Sequence, residues 1–137
     1  MKSDKTILLI EDDYVDAITL KRVLKKIDVH NQVIVCNNGE EGLTWLSTHK
    51  TDLPGLIFLD LNMPKMNGLE FLEVVKRDDE MKLVPIIVLT TSTDQTDRLE
   101  CFKRSVAGYI VKCVDYKEFV QTISCVKNYW LKNQLAY

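Results

Sequence analysis

The sequence predicts an α/β protein built on one doubly wound parallel sheet, and three observations carry that expectation. Short apolar runs alternate five times with segments of helical spacing, a pattern that calls for parallel strands joined by right-handed crossovers, with helices on both faces. The runs are apolar at nearly every position, as in strands covered on both sides. At 137 residues the chain has room for a single domain, residues 1–137, long enough to bury about two thirds of its unfolded surface.

Thr6 to Ile10 forms the first strand candidate and runs into three acids, Glu11, Asp12 and Asp13. Helical spacing follows, with Ile18, Leu20, Val23, Leu24 and Ile27 on one side and Lys21, Arg22, Lys25 and Lys26 largely on the other. Acids at its start and lysines at its end suit the helix dipole. Gln32 to Cys36 is the second strand, and Asn38-Gly39-Glu40-Glu41 opens the second helix with Asn followed three later by Glu, a capping-box pattern. Leu56 to Leu59 is the third strand and delivers Asp60 to its C-terminal end. It cannot continue, because Pro64 lacks a ladder donor and Asn67-Gly68 are turn formers. Asn67 and Glu70 repeat the capping pattern before a helix carrying Leu69, Phe71, Leu72, Val74 and Val75. Pro85 to Leu89 is the fourth strand and ends in Thr90-Thr91-Ser92. A more polar helix, about Asp94 to Arg104, leads to Gly108–Val111 as the fifth strand, ending in Lys112. Asp115 and Glu118 open a last helix with Phe119, Val120, Ile123, Val126 and Trp130 facing inward. Among doubly wound topologies the flavodoxin-like order 2-1-3-4-5 is expected, since it sets strands one and three side by side at the switch point.

Composition excludes several classes. Hydrophobic content of 46% and charged content of 28% are those of an ordinary globular protein. With a net charge of −2 and no basic stripe, nucleic acid is not expected as a direct partner. The longest apolar run, Leu83 to Leu89, is interrupted by Pro85 and falls short of a membrane span. Cys36, Cys101, Cys113 and Cys125 form no C-x-x-C, and Met1-Lys2-Ser3-Asp4-Lys5 is no signal peptide. Reduced thiols in a cytoplasmic protein are therefore expected. His30 and His49 lack neighbouring Cys or His for a zinc site and are expected at the surface.

A parallel sheet brings its strand ends to one edge, the usual ligand edge of such folds. An Asp there could by itself merely cap a helix. Here, however, Glu11-Asp12, Asp60, Thr90 and Lys112 all arrive together. Three crowded carboxylates repel one another unless a cation sits among them, and hard oxygen ligands select Mg²⁺. Lys112 adds a movable point charge and Thr90 a short hydroxyl donor. Such a site suits a phosphoryl group held on one protruding carboxylate.

The pattern Ile10-Glu11-Asp12, Leu59-Asp60-Leu61-Asn62-Met63-Pro64-x-Met66-x-Gly68, Leu89-Thr90 and Val111-Lys112 resembles the receiver domains of two-component response regulators over nearly the whole chain. The 30 residues from Asp60 to Thr90 and 22 from Thr90 to Lys112 match the spacing in the chemotaxis response regulator. Glu11-Asp12-x-x-x-Asp16 and Leu89-Thr90-Thr91-Ser92 look most like the single-domain receivers associated with bacterial phytochromes. The resemblance implies that Asp60 accepts a phosphoryl group from a sensor histidine kinase or phosphotransfer protein. It needs no general base, since a carboxylate near its reference pKa of about 3.9 is ionised at pH 7. The resemblance further implies that Asp12, Asp60 and the backbone carbonyl of Asn62 bind Mg²⁺, with Glu11 acting through water. Asp13 reads as a helix-start acid. Lys112 would pair with one phosphoryl oxygen and Thr90 donate to another and move toward it, letting Tyr109 swing inward. Asn62 and Ser92 occupy positions that tune dephosphorylation in relatives. Output would use the fourth helix, fifth strand and fifth helix toward an unknown downstream protein.

One departure stands out. The family usually follows its lysine with proline, often in a cis peptide, whereas Cys113 follows Lys112. A non-proline cis bond costs about 2.5–4 kcal/mol, so a trans bond with an altered loop is expected, which bears on the reach of Lys112. Other readings are a phosphorylation-independent interaction domain on the same fold, a phosphatase and a flavodoxin. Asn62 lies where aspartate-nucleophile phosphatases favour a second Asp, and Glu11-Asp12-Asp13 would repel a flavin phosphate. No enzyme activity beyond self-phosphorylation and autodephosphorylation is expected. Tyr129, Trp130, Leu131 and Tyr137 could extend the last helix into a homodimer or partner surface, or pack half-buried. No DNA-binding segment is expected, so output would go through protein contacts or phosphotransfer; alternatively, the chain is cut from a larger regulator.

Overall fold

The computed structural model describes residues 4–137, so part of the leader reading at Met1 to Lys5 lies outside the described residues. Strands β1 (Ile7–Ile10), β2 (Val33–Cys36), β3 (Leu56–Leu59), β4 (Ile86–Thr90) and β5 (Gly108–Val111) alternate with helices α1 (Tyr14–Lys26), α2 (Gly39–Thr48), α3 (Gly68–Arg77), α4 (Gln95–Lys103) and α5 (Tyr116–Lys132). All pairings are parallel, in the order β2-β1-β3-β4-β5. The expected topology is the observed one, with strand ends shifted by a residue.

Alternation along the strands divides the core in two. Leu8, Ile10, Ile57, Leu59, Ile86 and Val88 pack with α2, α3 and α4 through Leu46, Phe71, Leu72, Val75 and Cys101. Ile7, Leu9, Leu56, Phe58, Ile87 and Leu89 pack with α1 and α5 through Ala17, Leu20, Val23, Leu24, Phe119, Ile123, Val126 and Trp130. Both faces are covered, which is why the strands read as unbroken apolar runs rather than as alternating ones.

The helix starts follow the sequence signals. Asp13, Asn38, Asn67, Asp94 and Asp115 cap α1 to α5, each accepting a backbone N–H of the first turn. The Asn67–Glu70 capping box is complete. Glu41 instead reaches back to the Asn37 N–H at 3.0 Å, and Asp115 accepts from Lys117 rather than from Glu118. α4 buries only Cys101 and leaves Leu99 and Phe102 exposed. Val74 on α3 also faces solvent. His30 is exposed as expected, but His49 is half-buried, stacked on Trp45 with ring centroids 3.8 Å apart. Near the C-terminus Trp130 is buried and its Nε1–H donates to the Gly55 carbonyl at 3.1 Å, while Tyr129 and Leu131 are exposed. The Tyr137 hydroxyl donates to the Pro54 carbonyl.

Candidate functional site

Register assembles the site. Ile10 pairs with Leu59, so the next residue of each strand, Glu11 and Asp60, emerge side by side; the Asp60 N–H donates to the Ile10 carbonyl at 3.0 Å. Thr90 pairs with Val111, and the Lys112 N–H donates to the Thr90 carbonyl at 2.7 Å. By alternation Glu11, Asp60 and Lys112 continue the side of the sheet that carries α1 and α5.

Glu11, Asp12 and Asp60 each offer a carboxylate oxygen, and these oxygens lie within 4.8 Å of one another. Glu11 and Asp60 are buried, only 4% and 7% exposed, whereas Asp12 is exposed. Burial pushes the Glu11 carboxyl up to about 7, against a hydrogen bond from Lys112 that lowers it and the like charge of Asp60 that raises it. Asp60 is also raised by burial, opposed by the charge of Lys112 and by the Leu61 N–H, 2.9 Å from its Oδ1. The expectation that Asp60 keeps a reference carboxylate pKa is therefore corrected: loss of water outweighs its neighbours. A hard, all-oxygen set of partly desolvated acids suits a divalent cation, which would relieve their repulsion.

The β3–α3 loop closes tightly against the site. The Gly68 N–H donates to the Leu61 carbonyl at 3.0 Å, and a Cβ on Gly68 would stand 2.6 Å from the Asp60 carbonyl oxygen, too close for any other residue without displacing the loop. Asn62 lies exposed in this loop.

Thr90 is wholly buried, and its Oγ1 accepts the Ser92 N–H at 3.2 Å. The Ser92 hydroxyl donates to Asp97 on α4 at 2.7 Å, and its carbonyl accepts the Tyr109 hydroxyl at 3.0 Å. Tyr109, on β5, is thus half-buried on the α2–α4 side of the core, its hydroxyl held by the loop that carries Ser92. Lys112 takes a direction the sequence reading does not anticipate. Its Nζ lies 2.7 Å from Glu11 Oε1 and 2.7 Å from Asp16 Oδ2, with no ion pair to Asp60 among the described residues. Desolvation lowers the pKa of Lys112, but the hydrogen bonds to Asp16 and Glu11 outweigh it and hold the ammonium above its usual range. No cis peptide occurs among the described residues, so Lys112–Cys113 is trans as expected. In the sequence Asp16 has one signal, its place on the first turn of α1 beside the acids.

The family model of the response regulator receiver domain matches residues 7–124. Among curated proteins the chain is 30% identical to "Probable methanogenesis regulatory protein FilR2" of Methanothrix harundinacea over 128 residues, 91% of this chain and 83% of that one. It is also 30% identical to response regulator Rcp1 of Synechocystis over 132 residues, 93% of this chain and 90% of that one. Among solved structures, that of the phosphorylated cyanobacterial phytochrome response regulator RcpA superposes with a TM-score of 0.90 at 29% identity, covering 98% of this chain and all (100%) of that one. The Mn²⁺-bound form of Rcp1 gives 0.86 at 30% identity, covering 97% and 99%. No helix among the described residues is long and apolar enough to cross a membrane.

Proposed function

The chain belongs to the response regulator receiver domain family, and from that premise we propose that it is a phosphorylatable receiver of a two-component system, with Asp60 as phosphoacceptor. The observation that carries this is the convergence of Glu11, Asp12 and Asp60 to within 4.8 Å beside Thr90 and Lys112, in a family with a relative solved in a phosphorylated form.

An Asp60 carboxylate oxygen attacks phosphorus on a phosphohistidine of a sensor histidine kinase or phosphotransfer protein. The O–P bond forms, the N–P bond breaks, and the leaving imidazole takes a proton from water. Glu11, Asp12, Asp60 and the Asn62 carbonyl would hold Mg²⁺, which supplies positive charge that keeps Asp60 ionised and balances the phosphoryl oxygens. Thr90 donates its hydroxyl to a phosphoryl oxygen and Lys112 its ammonium. The Ser92 loop then carries the change to Tyr109 and α4, shifting the population that a downstream protein binds. The chain acts in the cytoplasm and turns over only its own phosphoryl group.

Incubation with acetyl phosphate and Mg²⁺, read by intact mass, should give one phosphoryl adduct that is lost on chelation and in Asp60→Ala. An adduct that survives Asp60→Ala would move the assignment to another residue.

A further inference from the structure

Lys112 is held by an acid that the proposed chemistry does not use. Its ammonium bridges Glu11 and Asp16 at 2.7 Å each. The Lys112 side chain is only 14% exposed, against 41% for Asp16, so the acid has water as an alternative partner where the lysine has little. The backbone explains the direction. Lys112 continues the alternation of Ile110, which packs on the α1–α5 side. The trans chain then carries Cys113 into the same cleft, where a cavity of about 60 Å³ is lined by Asp16, Leu20, Lys112, Cys113 and Phe119.

We propose that Asp16 is a positioning residue that retains Lys112 on the α1 side, so that the ammonium must leave Asp16 to serve a phosphoryl group on Asp60. The inference rests on the reading of Asp60 as phosphoacceptor. Asp16 then acts as a brake on phosphoryl capture. Its strength is bounded, because a partly exposed ion pair shifts an equilibrium by about fivefold at most. The brake therefore tunes the rate and does not block it. A phosphoryl group, carrying more negative charge than one carboxylate, competes successfully for the ammonium.

The test compares wild type, Asp16→Asn, Asp16→Glu and Asp13→Asn. Asp13→Asn removes a like charge from the same helix start, and Asn remains a good cap. Adduct formation from acetyl phosphate with Mg²⁺ should be about two- to fivefold faster in Asp16→Asn. Asp16→Glu, which keeps a carboxylate within reach, and Asp13→Asn should stay close to wild type. In parallel, the Lys112 ammonium resonance in ¹⁵N NMR should shift and exchange faster with water in Asp16→Asn, and be restored in Asp16→Glu. Three outcomes overturn the inference: equal acceleration in Asp13→Asn and Asp16→Asn, no acceleration or slowing in Asp16→Asn, or an unmoved Lys112 resonance. If wild type takes no adduct, the phosphoacceptor reading falls, and the resonance alone decides whether Asp16 holds Lys112.

Discussion

Two lysines in this chain sit against a carboxylate at nearly the same distance, and the two acids respond in opposite ways. Lys50 Nζ lies 2.6 Å from Asp78 and Lys112 Nζ lies 2.7 Å from Glu11. Asp78 is held down to about 2, chiefly by the hydrogen bond from Lys50 and then by the Met81 N–H. Glu11 is pushed up to about 7, chiefly by burial. Distance is therefore a poor guide to what an ion pair does. At the surface, water completes the solvation of both partners and the lysine tips the balance toward the charged acid. At the sheet edge water is excluded, Asp60 adds a second negative charge, and the one lysine divides itself between Glu11 and Asp16. The first pair ties the chain after α2 to the end of α3. The second leaves crowded carboxylates that either a proton on Glu11 or a bound cation would relieve.

The largest expected contrast comes from removing each lysine. Lys112→Ala leaves Glu11 buried without its partner and should cost about 3–5 kcal/mol at pH 8 with EDTA, whereas Lys50→Ala should cost far less, both read by urea unfolding. Equal losses would break the comparison. Next in size is the pH dependence. The folded-state pKa of Glu11 lies above its unfolded value of 4.5, so the folded chain binds that proton more tightly. This contribution is complete below the unfolded value and is lost as pH rises through about 7. The chelated protein should accordingly lose about 1–3 kcal/mol between pH 5 and pH 8, and millimolar Mg²⁺ should remove most of that slope. A flat profile in EDTA would show that Glu11 is not desolvated as described. The smallest effect has the opposite sign. Asp78 is depressed from 3.8 to about 2, so its contribution is present above the unfolded value and lost as pH falls through the folded one. Asp78→Asn should flatten the acid limb of the stability curve in that window and leave the neutral slope untouched.

Most of the fold could be read from the chain because each strand is apolar on both faces and each helix is announced by its cap, Asn38, Asn67 and Asp115 among them. The convergence of Glu11, Asp12 and Asp60 follows from strand order alone, since the edge is fixed once the sheet is parallel. What escaped depends on how side chains share a crowded space. The direction of Lys112 is set by which side of β5 it continues and by what α1 offers there, a partner 96 positions away. The raised pKa of Asp60 reflects water excluded by residues distant in sequence. His49 is half-buried because Trp45, one helical turn before it, offers both a flat ring to stack on and a carbonyl 2.7 Å from His49 Nδ1.

The bond from Trp130 to the Gly55 carbonyl has a practical consequence. Gly55 precedes β3 and Asp60 follows it, so the indole is anchored at the far end of a strand roughly 13 Å long. With Trp45 on α2 replaced by Phe, fluorescence from this one remaining indole would report whether α5 stays docked on the sheet.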